Sequence, residues 1–258
     1  MCQVVRILFI IIGVFAVMKV NAAEKQLQIE DERFEKPLLF TVNLPDGYEQ
    51  NADKRYALLF DFHPYADSYL KGMHDWLSHN GEWPWPQTII VNPAMGNPVG
   101  RLFDASGKTT PLIDFFEAKL LPALDKNYRT NGFRIMSGFR VNGTLALSAM
   151  LRKPGLFNAY FVTSPELEDD YAGILSAAAS GMKTIDAPPV YVLITHGSGV
   201  KEKHQLDEYA RLNQILSDNL PPNVAWDYRD FSEHMFMTLP LLTLLTGIEQ
   251  VFGKEQVK

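Results

Sequence analysis

The stretch "SGFRVNGT", Ser137–Thr144, lies between an apolar run and a run with helical spacing. A strand that ends in such a turn and feeds directly into a helix has the G-x-S-x-G shape on which many hydrolases mount a serine. Here Gly138 is present, Arg140 holds the central position, Asn142 stands where the second glycine belongs, and Gly143 follows. A guanidinium stays charged and offers donors without a usable lone pair. It cannot attack a carbonyl or carry an acyl group. The turn is that of a nucleophile elbow, and its cargo is not a nucleophile.

Working outward, strand-like runs occur at 38–44 (LLFTVNL), 56–62 (YALLFDF), 88–92 (TIIVN), 133–139 (FRIMSGF), 159–164 (AYFVTS), 190–196 (VYVLITH) and 224–231 (VAWDYRDF). Several are continuous apolar stretches, as strands covered on both faces require. Helical spacing appears in "PLIDFFEAKLLPALDKNY" through Leu112, Phe115, Phe116, Leu120 and Leu124, and again over 142–152, 203–218 and 235–252. Antiparallel-looking strands followed by strand–helix alternation predict an α/β fold, a mostly parallel central sheet with helices on both faces. Ligands of such sheets bind at the carboxyl ends of the strands. The loops after residues 62, 92, 139, 164, 196 and 231 are therefore the ones to read.

At 258 residues, 47% hydrophobic and 21% charged, the chain can bury a full core in one domain. No repeat or linker divides it. "MCQVVR", "ILFIIIGVFAVM" and "VNAA" have the charged start, apolar centre and small-residue end of a secretory signal. We expect residues 1–23 to be a signal peptide, cut after Ala22 or Ala23, and 24–258 to be a single domain that is periplasmic or secreted. The apolar run is short for a membrane span. Cleavage removes Arg6 and Lys19 and takes the net charge from −6 to −8, the wrong sign for a nucleic-acid partner. It also removes Cys2, the one cysteine, and with it thiol catalysis and disulfides. No cofactor is expected.

Reading the strand-end loops in order, the chain resembles the esterase D and enterochelin-esterase-like branch of the α/β hydrolases. The resemblance rests on "FTVNLPDGYEQNADKRYALLF", "DFFEAKLLPALDKNYRTNGFRIMSGF", "GTLALSAMLRKPGLFNAYFVTSPEL" and "EHMFMTLPLLTLLTGIEQVF", which together span about residues 40 to 252. It implies an α/β-hydrolase fold and a serine–acid–histidine triad. The serine position falls at Arg140, the base position at His234, and the acid in the loop after 196, where Glu202 is the nearest candidate and Asp207 the next. One oxyanion donor would be the Val141 N–H. The other would come from the turn after residue 62, where His63-Pro64 replaces the step usual in relatives and the donor could be Tyr65. A proline has no N–H to give.

Several residues have both a chemical and a plain role. Arg140 at a helix N-terminus could receive a carboxylate or phosphate, or be a surface arginine paired with a nearby acid. Ser137 could be a displaced nucleophile, or a buried hydroxyl bonded to backbone. His63, His196 and His234 fall at three strand ends, yet none has metal-ligand spacing, so no metal site is expected there. Trp83 and Trp85 could line a cleft or pack an edge. The expectation is an esterase-like protein without serine-esterase activity, a pseudoenzyme or a binder of a small anionic or ester-like ligand. The alternatives are an active ester hydrolase with a non-standard nucleophile and a protein-interaction module.

Overall fold

The computed structural model describes residues 23–79, 84–94, 103–104, 108, 110–180, 190–197 and 205–253. Eight strands form one sheet in the order β1-β2-β4-β3-β5-β6-β7-β8. They are β1 (Glu24–Ile29), β2 (Leu38–Asn43), β3 (Tyr56–Asp61), β4 (Thr88–Pro93), β5 (Thr130–Phe139), β6 (Ala159–Thr163), β7 (Val190–His196) and β8 (Val224–Asp230). β2 runs antiparallel to both β1 and β4. Every pairing from β4 to β8 is parallel. The mostly parallel sheet expected from the sequence is present.

The buried strands alternate between two cores, as the two-residue period of a strand dictates. Leu58, Phe60, Met136, Tyr160, Val162, Val192 and Ile194 point to one face. There they meet α2 (Leu112–Phe115), α3 (Leu121–Asn127), α4 (Val141–Arg152), α5 (Ile174–Ala179) and α6 (Leu206–Asn219). Leu59, Ile135, Phe161 and Leu193 point to the other face, onto Ala66 and Leu70 of α1 (Ala66–Ser78) and Leu244 and Ile248 of α7 (Leu239–Phe252). Helices therefore cover both faces.

Departures from the sequence expectation include α5, which no helical spacing announced, and three further elements. β1 lies at the sheet edge with only Ile29 buried, so it carries no apolar run to announce it. α1 buries only Ala66, Leu70 and His74. Between α2 and α3 the helix widens into a π turn over Phe116–Leu120. No helix among the described residues is long and apolar enough to cross a membrane.

Candidate functional site

The turn from β5 into α4 is a true elbow. Gly138 permits it, because a Cβ there would lie 2.2 Å from the carbonyl oxygen of Asn142. Gly143 permits the next contact, since a Cβ there would stand 2.9 Å from the Thr163 carbonyl oxygen at the end of β6. At the apex, Arg140 has φ 58° and ψ −126°, a region costly for any residue with a Cβ. The strain is held by two backbone bonds. The Arg140 N–H donates to Thr163 O at 3.0 Å, and the Arg140 carbonyl accepts from Thr144 N–H at 3.0 Å.

The Arg140 side chain is paired. Its Nη2 donates to Glu166 Oε2 at 2.5 Å, with both side chains mostly buried. Glu166 is itself fixed by Thr144, whose Oγ1 accepts from the Glu166 N–H at 2.8 Å and donates to its carbonyl at 2.9 Å. The guanidinium also lies 5.9 Å from the centre of the Phe236 ring, and Phe236 packs on Phe139 at 4.9 Å. The seat of the elbow thus holds an internal ion pair. Arg140 Nη1 and Glu166 Oε1 are buried and have no hydrogen-bond partner among the described residues.

Of the two expected oxyanion donors, Val141 is the first residue of α4, and no side chain caps that helix. The first N–H after Phe62 is already used. His63 N–H donates to Asp61 Oδ1 at 2.9 Å. Tyr65 is the N-cap residue of α1, 68% exposed, with its ring 5.5 Å from that of His63. Burial pulls the His63 imidazole below its ordinary value.

His234, in the base position, is exposed. Its N–H closes a turn onto Phe231 O at 2.9 Å, and its ring meets Phe231 edge-on at 5.9 Å. Among the described residues no hydrogen bond, ion pair or ring contact joins it to Arg140, Val141 or Ser137. Glu202 and Trp83 lie outside the described residues; Asp207 is exposed in the first turn of α6. Trp85 is buried and donates to Thr88 Oγ1, an edge-packing role. His196 is buried and stacked flat on Tyr209 at 4.8 Å. His63, His196 and His234 do not come together as a ligand set among the described residues.

Ser137 is bonded differently from the backbone contact expected for it. Its hydroxyl donates to Asp61 Oδ2 at 2.7 Å. The pair lies under α1 and α7 in a space of about 10 Å³, lined also by Tyr69, Thr163 and Thr243. Asp61 is fully buried, and loss of solvent pushes its carboxyl up to about 7. Asp61 and Glu166 are the two residues that the sequence did not single out. A cation at the elbow needs an acid in reach, and Glu166 is the first acid after β6, the strand beside it.

No protein-family model matches the chain, and no curated protein matches it in sequence. Solved structures do match. An IroE-like serine hydrolase from Shewanella oneidensis superposes with a TM-score of 0.72 at 19% identity, over 90% of this chain and 80% of that one. The siderophore hydrolase EstB from Aspergillus nidulans gives 0.70 at 15% identity, over 89% and 94%. An S-formylglutathione hydrolase from Agrobacterium tumefaciens gives 0.61 at 13% identity, over 90% and 94%. With the strand order, the elbow and the helices on both faces, these likenesses show that the chain has the α/β-hydrolase fold.

Proposed function

We propose that this protein is an exported, esterase-like member of the α/β-hydrolase fold that does not hydrolyse esters through a serine. One observation carries the proposal: the elbow apex is Arg140, held by Glu166 at 2.5 Å. Three further features support it. The His63 N–H is spent on Asp61. The His234 ring is turned to Phe231. Ser137 is 7% exposed and bonded to a carboxyl in a space too small for an ester. A displaced Ser137 nucleophile, the alternative route to activity, would need both room and a base beside a bound substrate.

The ion pair also bears on the anion-binding reading. Glu166 puts a carboxylate where a ligand's carboxylate would sit, so the site is filled from within. An external carboxylate would have to share the guanidinium through Nη1 or displace Glu166. Export rests on the leader-like residues 1–23, and periplasmic or secreted location follows from it.

The deciding experiment treats purified protein with a fluorophosphonate probe and short p-nitrophenyl esters. The expected result is no label and no turnover above buffer. Labelling at Ser137, abolished by Ser137→Ala, would overturn the proposal. Calorimetric titration with acetate and phosphate separates the two silent readings: a filled site shows no heat, and an anion receptor shows binding that Arg140→Ala abolishes. Amino-terminal sequencing of exported protein tests the cut after Ala22 or Ala23.

A further inference from the structure

The pole of the sheet opposite the elbow carries a charge pattern of its own. β1 starts there at Glu24, across from Asn43 at the end of β2, and β3 and β5 start there at Tyr56 and Thr130. β5 covers the distance from this pole to the elbow in 10 residues, about 30 Å at about 3.3 Å per residue. Lys25, Lys54, Arg55, Lys126 and Arg129 gather at the pole, in a chain whose net charge is −6. None of the five forms an ion pair among the described residues. By contrast Arg33, Lys71, Arg134, Arg140, Lys153 and Arg229 each hold an acid.

Tyr48 holds the group together. The Arg129 guanidinium lies 3.7 Å from the centre of its ring, the Arg129 N–H donates to its hydroxyl at 2.9 Å, and Arg129 Nη2 donates to its carbonyl. The Tyr48 ring is 5.2 Å from that of Tyr56, over which the Lys54 ammonium lies at 5.4 Å. Arg55 Nη1 donates to the Thr130 carbonyl at 3.2 Å. Lys25, Tyr48, Asn127, Tyr128 and Arg129 line one cavity of about 460 Å³, and Lys126 is exposed beside it. The two arginines are thus fixed by carbonyls and a ring, contacts that leave their charge in place.

Acids do not offset them. Glu49 stands in the cavity wall and Asp53 beside Lys54, but Glu24 is held by Lys71, and Asp125 by Arg134 and the Thr130 hydroxyl. Positive charge prevails at this pole of an acidic chain, and such an asymmetry turns a protein toward an anionic surface. A second observation says which surface. The apolar run ILFIIIGVFAVM, 7–18, ends shortly before β1. A secretory leader crosses a membrane during export, so this pole is the part of the domain that emerges beside the bilayer. That placement rests on the export reading given above.

We infer that this pole docks on the anionic headgroups of a membrane, through Lys25, Lys54, Arg55, Lys126 and Arg129. Lipid phosphates are the anions that these side chains recognise, a guanidinium by paired N–H groups and an ammonium as a point charge. Five cations spread over one face match a planar array of charge better than a single soluble anion, which two of them would satisfy. Tyr128, partly buried in the same cavity wall, has the apolar ring and polar tip that suit the headgroup layer. Docked this way, the acidic remainder of the chain and the elbow face away from the bilayer.

The test is co-sedimentation of purified exported protein with vesicles of phosphatidylcholine alone or with about one-third phosphatidylglycerol. Binding to the anionic vesicles alone is expected, falling at least about tenfold between about 0.1 M and about 1 M salt as the screening length shrinks. Replacing Lys25, Lys54 and Lys126 together by Gln should weaken it about a hundredfold, at roughly fivefold per cation. The same change at Lys36, Lys119 and Arg211, away from the pole, should leave it within about twofold of the wild type. All six side chains are exposed, and circular dichroism verifies that the variants fold. No binding to anionic vesicles would overturn the inference. Equal binding to both vesicle types would overturn it by showing an apolar contact instead. Equal losses in the two triple variants would overturn it by showing an effect of net charge alone, and no loss in the first would place the contact elsewhere. None of these outcomes bears on ester hydrolysis, and amino-terminal sequencing tests the export reading separately.

Discussion

Asp61 and Ser137 face one another in the β3–β5 register, and the Ser137 hydroxyl donates to Asp61 Oδ2 at 2.7 Å. The other carboxylate oxygen takes the His63 N–H. One buried acid thus ties the turn into α1 to the strand that leads into the elbow. Burial raises its carboxyl from the ordinary 3.8 to about 7, against the lowering effect of those two hydrogen bonds. Between those values the folded chain holds a proton that the unfolded chain has lost. The contribution of this group to stability is therefore fully present below about pH 4 and is lost as pH rises to about 7. The loss is of the order of a few kcal/mol, given about 1.4 kcal/mol per pH unit. Asp61→Asn, a neutral stand-in for the protonated acid, should flatten this slope and melt above the wild type at about pH 8. Denaturant titrations of both proteins across that range check it, and parallel slopes would contradict it.

The elbow's strain and its ion pair can be separated by two substitutions at one position. Arg140→Ala and Arg140→Gly both remove the guanidinium, but only glycine accepts φ 58° freely. We expect Arg140→Gly to be more stable than Arg140→Ala by about 1 kcal/mol. Relative to the wild type, Arg140→Ala should cost about 1–3 kcal/mol, because it leaves the mostly buried Glu166 carboxylate without its partner. In a Glu166→Gln background that cost should shrink. A double-mutant cycle by chemical denaturation measures the coupling, and additive effects would mean that the pair contributes nothing.

Putting the serine back should not revive hydrolysis. In Arg140→Ser the new hydroxyl would sit at the apex, but the His63 N–H would remain on Asp61 and the His234 ring on Phe231. A lone hydroxyl without a base in contact is a poor nucleophile. The expected outcome is no fluorophosphonate label on Arg140→Ser at neutral pH, read by intact-protein mass spectrometry. Rapid labelling would show that the remaining parts of the machinery are poised and only the serine is missing.

The sheet was legible because its inner strands are nearly all apolar, a pattern that few other elements produce. β1 escaped because it is an edge strand with one buried side chain. α1 escaped because its buried positions are sparse and include a histidine, His74, which stays neutral and accepts from the Thr88 N–H at 2.9 Å. The identity of the apex residue was equally legible, since turn and glycines are contiguous in the chain. Its partner was not. Glu166 lies 26 residues on, and only the alignment of β5 with β6, Gly138 opposite Val162, brings the two strand ends together. Asp61 and Ser137 are 76 residues apart and meet for the same kind of reason. Pairings set by strand register across a parallel sheet have no local signature.

Two glycine substitutions should move stability in opposite directions. At Gly138 a Cβ would meet the Asn142 carbonyl oxygen at 2.2 Å and the Gly143 nitrogen at 2.8 Å. All of these are backbone atoms of the turn itself, so no side chain can yield to make room. Gly138→Ala should therefore open the elbow and cost more than about 3 kcal/mol, at the severe end for a point change. Gly72 is an exposed residue inside α1, and a Cβ there would find nothing within 4 Å. Gly72→Ala should stabilise by about 0.5–1 kcal/mol, because alanine loses less backbone freedom in a helix. Thermal melts of the two variants beside the wild type suffice. A tolerated Gly138→Ala would mean that the turn can relax away from the elbow geometry, and the steric basis for that geometry would have to be abandoned.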